Sequence, residues 1–347
     1  MQTKANPTPG KNRFPILDLS KFIMSISAIA WHTKVFVNCK SELFQKLYNA
    51  VSTLALPIFF MISGFLLFYN MNGSYATAEN LAKIKKTIKR TLSLYGIWTL
   101  IYLPLTLYEF ANNSNSTADN ALFFLRRLVF WGEQYYSWPL WYLLSIAYGL
   151  SLIYLLLKIG MKEKFIYALS FGIFLFGCIM NALVADPGIV PGRLQGLFND
   201  FVYYFQGGRL FTGVGYMAFS MMTARSRTSI STPLSILALV CGVGSSLVFG
   251  ELFFAVCYPV LAWLFLQAAL RVKLPPSPMW LWFRKISSVM YFSHMFFFFL
   301  YVLLRHNGVF HLGRGAFSAS FLGSLLLAIM ILFLENKKPF RFLKKIL

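Results

Sequence analysis

Residues 48–70 read YNAVSTLALPIFFMISGFLLFYN and contain no charged side chain. About 20 predominantly apolar residues make a helix that is long enough to cross the hydrocarbon core of a bilayer. This run therefore predicts a transmembrane helix, and similar apolar runs recur along the rest of the chain. We predict ten spans, near residues 15–37, 48–70, 91–110, 139–157, 165–184, 200–222, 233–250, 252–270, 286–304 and 316–334.

The composition of the 347-residue chain indicates the same class of protein. Hydrophobic residues make up 58% and charged residues only 12%, and the mean hydropathy is +0.62. Soluble domains carry about 25% charged residues because their surfaces face water. The composition excludes a soluble domain, a disordered chain, a collagen-like fibre and a disulfide scaffold. We predict an all-α, polytopic membrane helix bundle of about ten transmembrane helices, with residues 1–347 forming one domain and no appended soluble domain.

The formal net charge is +21, which in a soluble chain would suggest nucleic-acid binding. Here the basic residues cluster between apolar runs, with 23 Lys and Arg in the segments predicted inside and eight in those predicted outside. The positive-inside rule then places both termini in the cytoplasm. Lys4, Lys11 and Arg13 precede a first span that lacks a convincing cleavage site, so we expect this span to be retained. Most of the charge reflects topology and attraction to anionic lipid; no nucleic-acid partner is expected.

Motifs of soluble enzymes and of metal sites do not occur in the sequence. There is no G-x-S-x-G, Walker A loop, Rossmann fingerprint or H-E-x-x-H pattern. Four cysteines have neither metal-like nor disulfide-like spacing, and the four histidines are scattered. We expect no metal. Residues 81–90 read LAKIKKTIKR, a basic amphipathic helix that runs into the third span on the cytoplasmic face.

Ionisable groups inside apolar spans are costly to bury, so each is a functional candidate. His32, Arg209 and His294 are the three that stand out. Lys21 and His32 lie about 16 Å apart along one helix, and could hold a phosphate and a reactive group at two ends of one elongated ligand. A structural alternative stays open, in which Lys21 reaches the aqueous surface and His32 hydrogen-bonds a neighbouring helix.

The ninth span carries Ser287, Tyr291 and His294 on one helical face, with His294 about 13 Å into the span. Such a polar stripe must face protein or a cavity rather than lipid. The pattern is compatible with a structural hydrogen-bond network and with catalysis.

Arg209 follows Gly207 and Gly208, a pair at which a helix can open. Its guanidinium is always charged and needs an anionic partner. Asp200, the nearest acidic residue in sequence, lies about two and a half turns earlier. A bound anion is therefore one interpretation of this arginine.

Six segments together carry a resemblance to a known family. They are Leu17-Asp18-Leu19-Ser20-Lys21 with His32, Phe59-Phe60-Met61-Ile62-Ser63-Gly64-Phe65, Arg90 with Tyr95, Pro139-Leu140-Trp141-Tyr142-Leu143, Arg209-Leu210-Phe211 with Gly215, and Ser287 with Tyr291 and His294. In this order and spacing the chain resembles the acyltransferase-3 family of integral-membrane O-acyltransferases. Two positions depart from the family pattern: Lys21 replaces the usual Arg, and Thr87, with Lys86 beside it, replaces the first Arg of Arg-x-x-Arg.

The resemblance implies transfer of an acyl group, usually acetyl from cytoplasmic acetyl-CoA, to a hydroxyl of an envelope glycan or its lipid-linked precursor. It implies a multi-pass protein of the plasma (inner) membrane of a bacterium. The implied catalytic residues are His32, His294 and Arg209. The residues implied to bind CoA are Lys21, Lys86, Lys89 and Arg90, and those implied to support the site are Asp18, Ser63, Trp141 and Tyr291.

This assignment fits the chemistry of the residues. A basic inner mouth suits the CoA phosphates, and a neutral imidazole at His32 can act as general base on an acceptor hydroxyl. Arg209 or His294 could stabilise the oxyanion. We expect a continuous tunnel from the cytoplasm to His32.

Two other functions remain open. The fold also resembles the membrane domain of membrane-bound serine racemases, which suggests a small-molecule or amino-acid transporter with a discontinuous helix at Gly207-Gly208. A non-catalytic partner of a polysaccharide synthase or exporter is the third possibility.

Overall fold

The computed structural model describes residues 14–226, 231–305 and 312–346, and of residues 226, 246–255 and 345 only the backbone. Every regular element in these ranges is helical, as the sequence predicts. Lys4, Lys11, Arg13 and Arg227 lie outside the described residues. The helices are α1 (Pro15–Thr33), α2 (Glu42–Thr53), α3 (Ala55–Tyr69), α4 (Ala78–Asn112), α5 (Thr117–Arg126), α6 (Trp141–Lys158), α7 (Glu163–Ala185), α8 (Gln195–Phe205), α9 (Arg209–Ser226), α10 (Thr232–Arg271), α11 (Met279–Leu304) and α12 (Arg314–Leu334).

Six helical segments among the described residues are long and apolar enough to cross a bilayer. They are Glu42–Tyr69, Ala78–Asn112, Trp138–Lys158, Glu163–Ala185, Met279–Leu304 and Arg314–Leu334. Each contains most or all of a predicted span. The helix α1 is not among them, because Asp18, Lys21 and His32 lower its hydropathy. The chain is thus a helical, multi-pass membrane protein, and the count of ten spans stays a prediction.

The seventh and eighth predicted spans, 233–250 and 252–270, fall on the 40-residue helix α10. Gly242 and Leu261 are nevertheless in contact. A straight helix would separate two residues 19 positions apart by about 28 Å. The helix α10 is therefore not straight between these two residues, and its assignment to two spans stays a prediction.

The sixth predicted span, 200–222, consists of two helices, α8 and α9, and the chain breaks at the glycine pair where the sequence indicates that a helix can open. The chain breaks between α8 and α9, where Gln206 has φ 60°. A Cβ at Gly208 would collide with the backbone of Gly177 in α7, so only glycine permits this close approach. The Asn181 side chain of α7 accepts a hydrogen bond from the Gly208 backbone N–H at 2.8 Å, which anchors the break.

The segments predicted inside lie together at one end of the bundle. Arg284 of α11 reaches Asp18 of α1 at 3.9 Å, and Arg225 of α9 reaches Glu163 of α7 at 3.7 Å. The helices α1 and α11 run side by side in parallel, and α9 packs between α3, α6 and α7. This grouping agrees with the predicted topology, while the location of the termini stays a prediction.

Candidate active site

A cavity of about 310 Å³ opens among α1, the junction of α2 and α3, α6, α7, α9, α10 and α11. Four of the predicted site residues line it: His32, Trp141, Arg209 and Tyr291. The other lining residues are Ala28, Trp31, Ser52, Thr53, Ala55, Leu56, Pro57, Phe174, Cys178, Asn181, Thr212, Tyr216 and Tyr258. The fold therefore brings together residues from the first, fourth, sixth and ninth predicted spans.

His32 stands in the last turn of α1, and its partly exposed ring borders the cavity. The ring centroid lies 5.3 Å from that of His294 and 6.1 Å from that of Trp138. The imidazole thus faces a protein cavity with room for a reacting group, rather than lipid.

His294 is fully buried behind this cavity rather than in its lining. Its Nδ1 lies 2.8 Å from the Tyr291 carbonyl oxygen. A carbonyl only accepts, so Nδ1 carries the proton and Nε2 presents a lone pair. No described residue hydrogen-bonds that Nε2. His294 therefore contacts the His32 ring and does not border the cavity itself. Ser287 is not in its network, because the Ser287 hydroxyl donates to the Arg284 carbonyl of its own helix.

Arg209 begins α9 at the cavity and has an acidic partner that sequence reasoning missed. Its Nη2 lies 2.8 Å from Glu133 Oε1, and it also donates to the Gln206 side chain. Glu133 comes from the segment between α5 and α6, far from Arg209 in sequence. Asp200 is the acidic residue nearest to Arg209 along the chain, but the partner in the structure is Glu133, so no bound anion is needed to pair this guanidinium. The guanidinium lies 5.5 Å from the Trp141 ring centroid.

The predicted CoA-binding residues lie at the opposite end of the bundle, which is the end predicted to be cytoplasmic. Lys86, Lys89 and Arg90 are exposed on the first half of α4. Asp18, Arg284 and Arg90 are the charged groups whose field acts on Lys21. These groups form a charged cluster at the predicted cytoplasmic end, but none of them lines the cavity.

Lys21 points into the bundle rather than toward the aqueous surface. Its Nζ donates to Ser63 Oγ at 3.2 Å, Ser63 Oγ lies 3.0 Å from the Tyr142 hydroxyl, and that hydroxyl donates to the Phe59 carbonyl at 3.2 Å. This chain of polar contacts gives Ser63 a definite place in the structure. Tyr142 extends this chain of contacts from Ser63 to the Phe59 carbonyl, a role that the sequence motif alone does not indicate.

Three aromatic rings pack together between the Ser63 contact and the cavity, since Tyr142 contacts Ser63 and Tyr291 lines the cavity. The ring centroids of Phe59 and Tyr291 are 4.9 Å apart, and those of Tyr142 and Tyr291 are 5.6 Å apart. We call Phe59, Tyr142 and Tyr291 the aromatic plug. Neither Lys21 nor Ser63 lines the cavity, and the continuous tunnel from the cytoplasm to His32 stays a prediction.

The family that the residues suggest is confirmed by comparison with known proteins. The sequence profile of the acyltransferase-3 family, described as an acyltransferase domain, matches residues 14–334. The chain belongs to this family, and the match covers nearly the whole of it.

Two curated relatives are both named "Amino-acid racemase" and come from Enterococcus faecalis. One is 28% identical over 206 residues, which is 59% of this chain and 28% of the relative. The other is 32% identical over 159 residues, 44% of this chain and 20% of the relative. The chain thus spans about a quarter of the length of these relatives. No solved structure gives a significant match.

Proposed function

We propose that this chain is a membrane O-acyltransferase that moves an acyl group, acetyl in the simplest case, from cytoplasmic acyl-CoA to a hydroxyl of an envelope glycan or related acceptor. One observation supports this proposal above all others. In a member of the acyltransferase-3 family, a single cavity is lined both by the imidazole of His32 and by the guanidinium of Arg209.

The proposed reaction needs one base and one group that stabilises negative charge. His32 takes the proton from the acceptor hydroxyl while the oxygen attacks the thioester carbonyl. Arg209 stabilises the resulting oxyanion. Collapse of this intermediate breaks the carbon–sulfur bond, and the proton on His32 passes to the departing CoA sulfur. The products are the acyl ester and free CoA, and His32 returns to its neutral form.

In this proposal His294 acts on His32 rather than on the substrate. Its Nδ1 proton is committed to the Tyr291 carbonyl, which fixes the ring and leaves Nε2 as an acceptor facing a buried environment. The His294 ring packs against the His32 ring at a centroid distance of 5.3 Å and so restricts the orientation of the His32 ring.

The acyl-CoA donor enters at the end of the bundle that carries Lys21, Lys86, Lys89 and Arg90, which we call the basic end. Lys21, Lys86, Lys89 and Arg90 are proposed to hold the CoA phosphates, since arginine and lysine form charge-assisted hydrogen bonds with phosphate. The pantetheine arm must then pass the aromatic plug to bring the thioester to His32. Binding of acyl-CoA is therefore proposed to displace Tyr142 and Tyr291.

The test uses purified protein in nanodiscs, radiolabelled acetyl-CoA and a lipid-linked oligosaccharide as acceptor. His32→Ala is expected to reduce label transfer by about 10³-fold, since a positioned general base contributes about 10²–10⁴-fold. Lys34→Ala, which changes the exposed residue after the same helix, is the control and should retain transfer. Wild-type transfer by His32→Ala would remove this imidazole from the mechanism.

A second candidate function is the transport of an amino acid or another small molecule. It is favoured by the break between α8 and α9, because Arg209 and Asn181 border both the break and the cavity. Unwound helices at a cavity are a property of many transporters, and the curated relatives carry racemase names. Uptake of radiolabelled serine into proteoliposomes, without acetyl transfer, would support this alternative.

A further inference from the structure

We propose that Glu133 is a positioning residue for acyl transfer, which holds the Arg209 guanidinium at the edge of the His32 cavity. This inference rests on the proposed function. Glu133 does not line the cavity, so it would act through Arg209 rather than on the substrate. Its side chain is 4% exposed, against 25% for Arg209, so the contact connects the protein interior with the cavity.

Glu133 is itself held firmly by a second arginine. Arg127 Nε donates to the Glu133 carbonyl at 3.2 Å, and Arg127 Nη2 lies 3.4 Å from Glu133 Oε1. The Arg127 guanidinium also stacks 4.3 Å from the Trp131 ring centroid. One carboxylate oxygen is therefore shared by two guanidinium groups, one buried and one at the cavity.

The backbone around Glu133 is fixed against α6. Gly132 has φ 79°, a conformation that favours glycine. A Cβ at this position would lie 2.6 Å from Trp141 Cα, so the segment packs directly on the first residue of α6. Because Trp141 also lines the cavity, the same contact sets the positions of Glu133 and of the cavity wall.

The charges of this cluster do not cancel. Arg127 and Arg209 carry two positive charges and Glu133 one negative charge, which leaves one excess positive charge among poorly hydrated groups. Burying an excess charge costs free energy, so charges that are kept at this cost are functional candidates. An excess positive charge next to the cavity favours the oxyanion that forms there in the transition state.

The position of Glu133 predicts which kinetic constant it affects. Glu133→Gln keeps the shape of the side chain but weakens its hold on Arg209. We expect kcat for acetyl transfer to fall about tenfold, less than the about 10²–10³-fold typical of removing an oxyanion donor itself. The KM for acetyl-CoA should stay within about twofold, because the basic end is untouched. Glu133→Asp, which keeps the charge, should restore part of kcat.

A double-mutant cycle tests whether Glu133 acts through Arg209. In the Arg209→Ala background, Glu133→Gln should cause no further loss of kcat. Glu335→Gln is the matched control: Glu335 is also 4% exposed and pairs with Lys285, but at the far end of the bundle. The control should leave kcat unchanged, and thermal unfolding of each variant in nanodiscs identifies any that fold poorly.

The outcomes separate this inference from the proposed function. A wild type that transfers acetyl together with an equally active Glu133→Gln would overturn the inference alone. Losses that add in full in the double variant would also overturn it, because Glu133 would then act independently of Arg209. A wild type without any acetyl transfer would overturn the proposed function and this inference with it. If Glu133→Gln does not fold, the kcat of Glu133→Asp in the same cycle decides.

Discussion

The two ends of the bundle use charge in different ways. At the basic end, Lys86, Lys89 and Arg90 are exposed on the first half of α4. Near the His32 cavity, the charges of Arg127, Glu133 and Arg209 are largely buried and are joined by specific contacts. Exposed charges attract polyanions and lipid with little geometric demand, whereas buried charges fix positions. We therefore expect substitutions at the first end to change affinity and those at the second to change the rate of transfer.

The largest effect after loss of His32 is expected for Arg209. Arg209→Ala should lower kcat for acetyl transfer about 100-fold, because it removes the group proposed to stabilise the oxyanion. Arg305→Ala is the matched control, since Arg305 is an exposed arginine at the end of α11 that stacks on Tyr301. Radiolabel transfer by both purified variants gives the comparison, and equal kcat values would remove Arg209 from the chemistry.

Much of the fold was predictable from the sequence, and so was part of the site. The type and approximate position of a helix follow from local apolar runs. The predicted bounds of α6, α7 and α12 agree with the structure within a few residues, and α11 ends where predicted but begins earlier. The sequence also predicted that four residues share one site, and all four line one cavity: His32, Trp141, Arg209 and Tyr291.

What could not be predicted depends on contacts between distant segments. The partner of Arg209 was missed because Glu133 lies in the segment between α5 and α6, where no periodic pattern indicates burial. The aromatic plug was missed because the sequence does not show that Phe59, Tyr142 and Tyr291, which lie on three different helices, meet one another. The approach of Gly208 to Gly177 was missed for the same reason, since two glycines in sequence do not reveal which helix they meet.

An effect of intermediate size is expected when the aromatic plug is opened, because reagents could then pass between the two ends of the bundle. Tyr142→Ala removes a buried ring and leaves a void, which should connect the basic end to the cavity. Cys178 lines the cavity and is 4% exposed. In inside-out vesicles, with Cys39, Cys241 and Cys257 changed to Ser, we expect a thiol reagent to label Cys178 about tenfold faster in Tyr142→Ala.

Tyr102→Ala serves as the control for this experiment. Tyr102 is also buried, and its hydroxyl donates to the Phe292 carbonyl outside the cavity lining. Labelling of Cys178 should stay at the background rate in this variant. An increase of the same size in both variants would mean that general loosening, and not removal of the plug, admits the reagent.

The smallest effect is expected at the basic end. Arg90→Ala should weaken CoA binding about fivefold, because exposed charge pairs contribute about 1 kcal/mol or less. The loss should shrink at high salt, where exposed charges are screened. Lys158→Ala, an exposed cation at the end of α6, is the control. Calorimetry with CoA at two salt concentrations measures both, and equal affinities would assign the Arg90 charge to topology alone.

The most direct test of the central claim is a structure of the wild-type protein in nanodiscs with a ketone analogue of acetyl-CoA that cannot release its acyl group. The account predicts the phosphates beside Lys21 and Arg90, the rings of Tyr142 and Tyr291 displaced, and the carbonyl group within about 3.5 Å of the His32 ring. An analogue bound with its carbonyl outside the cavity, and with the aromatic plug still closed, would contradict it.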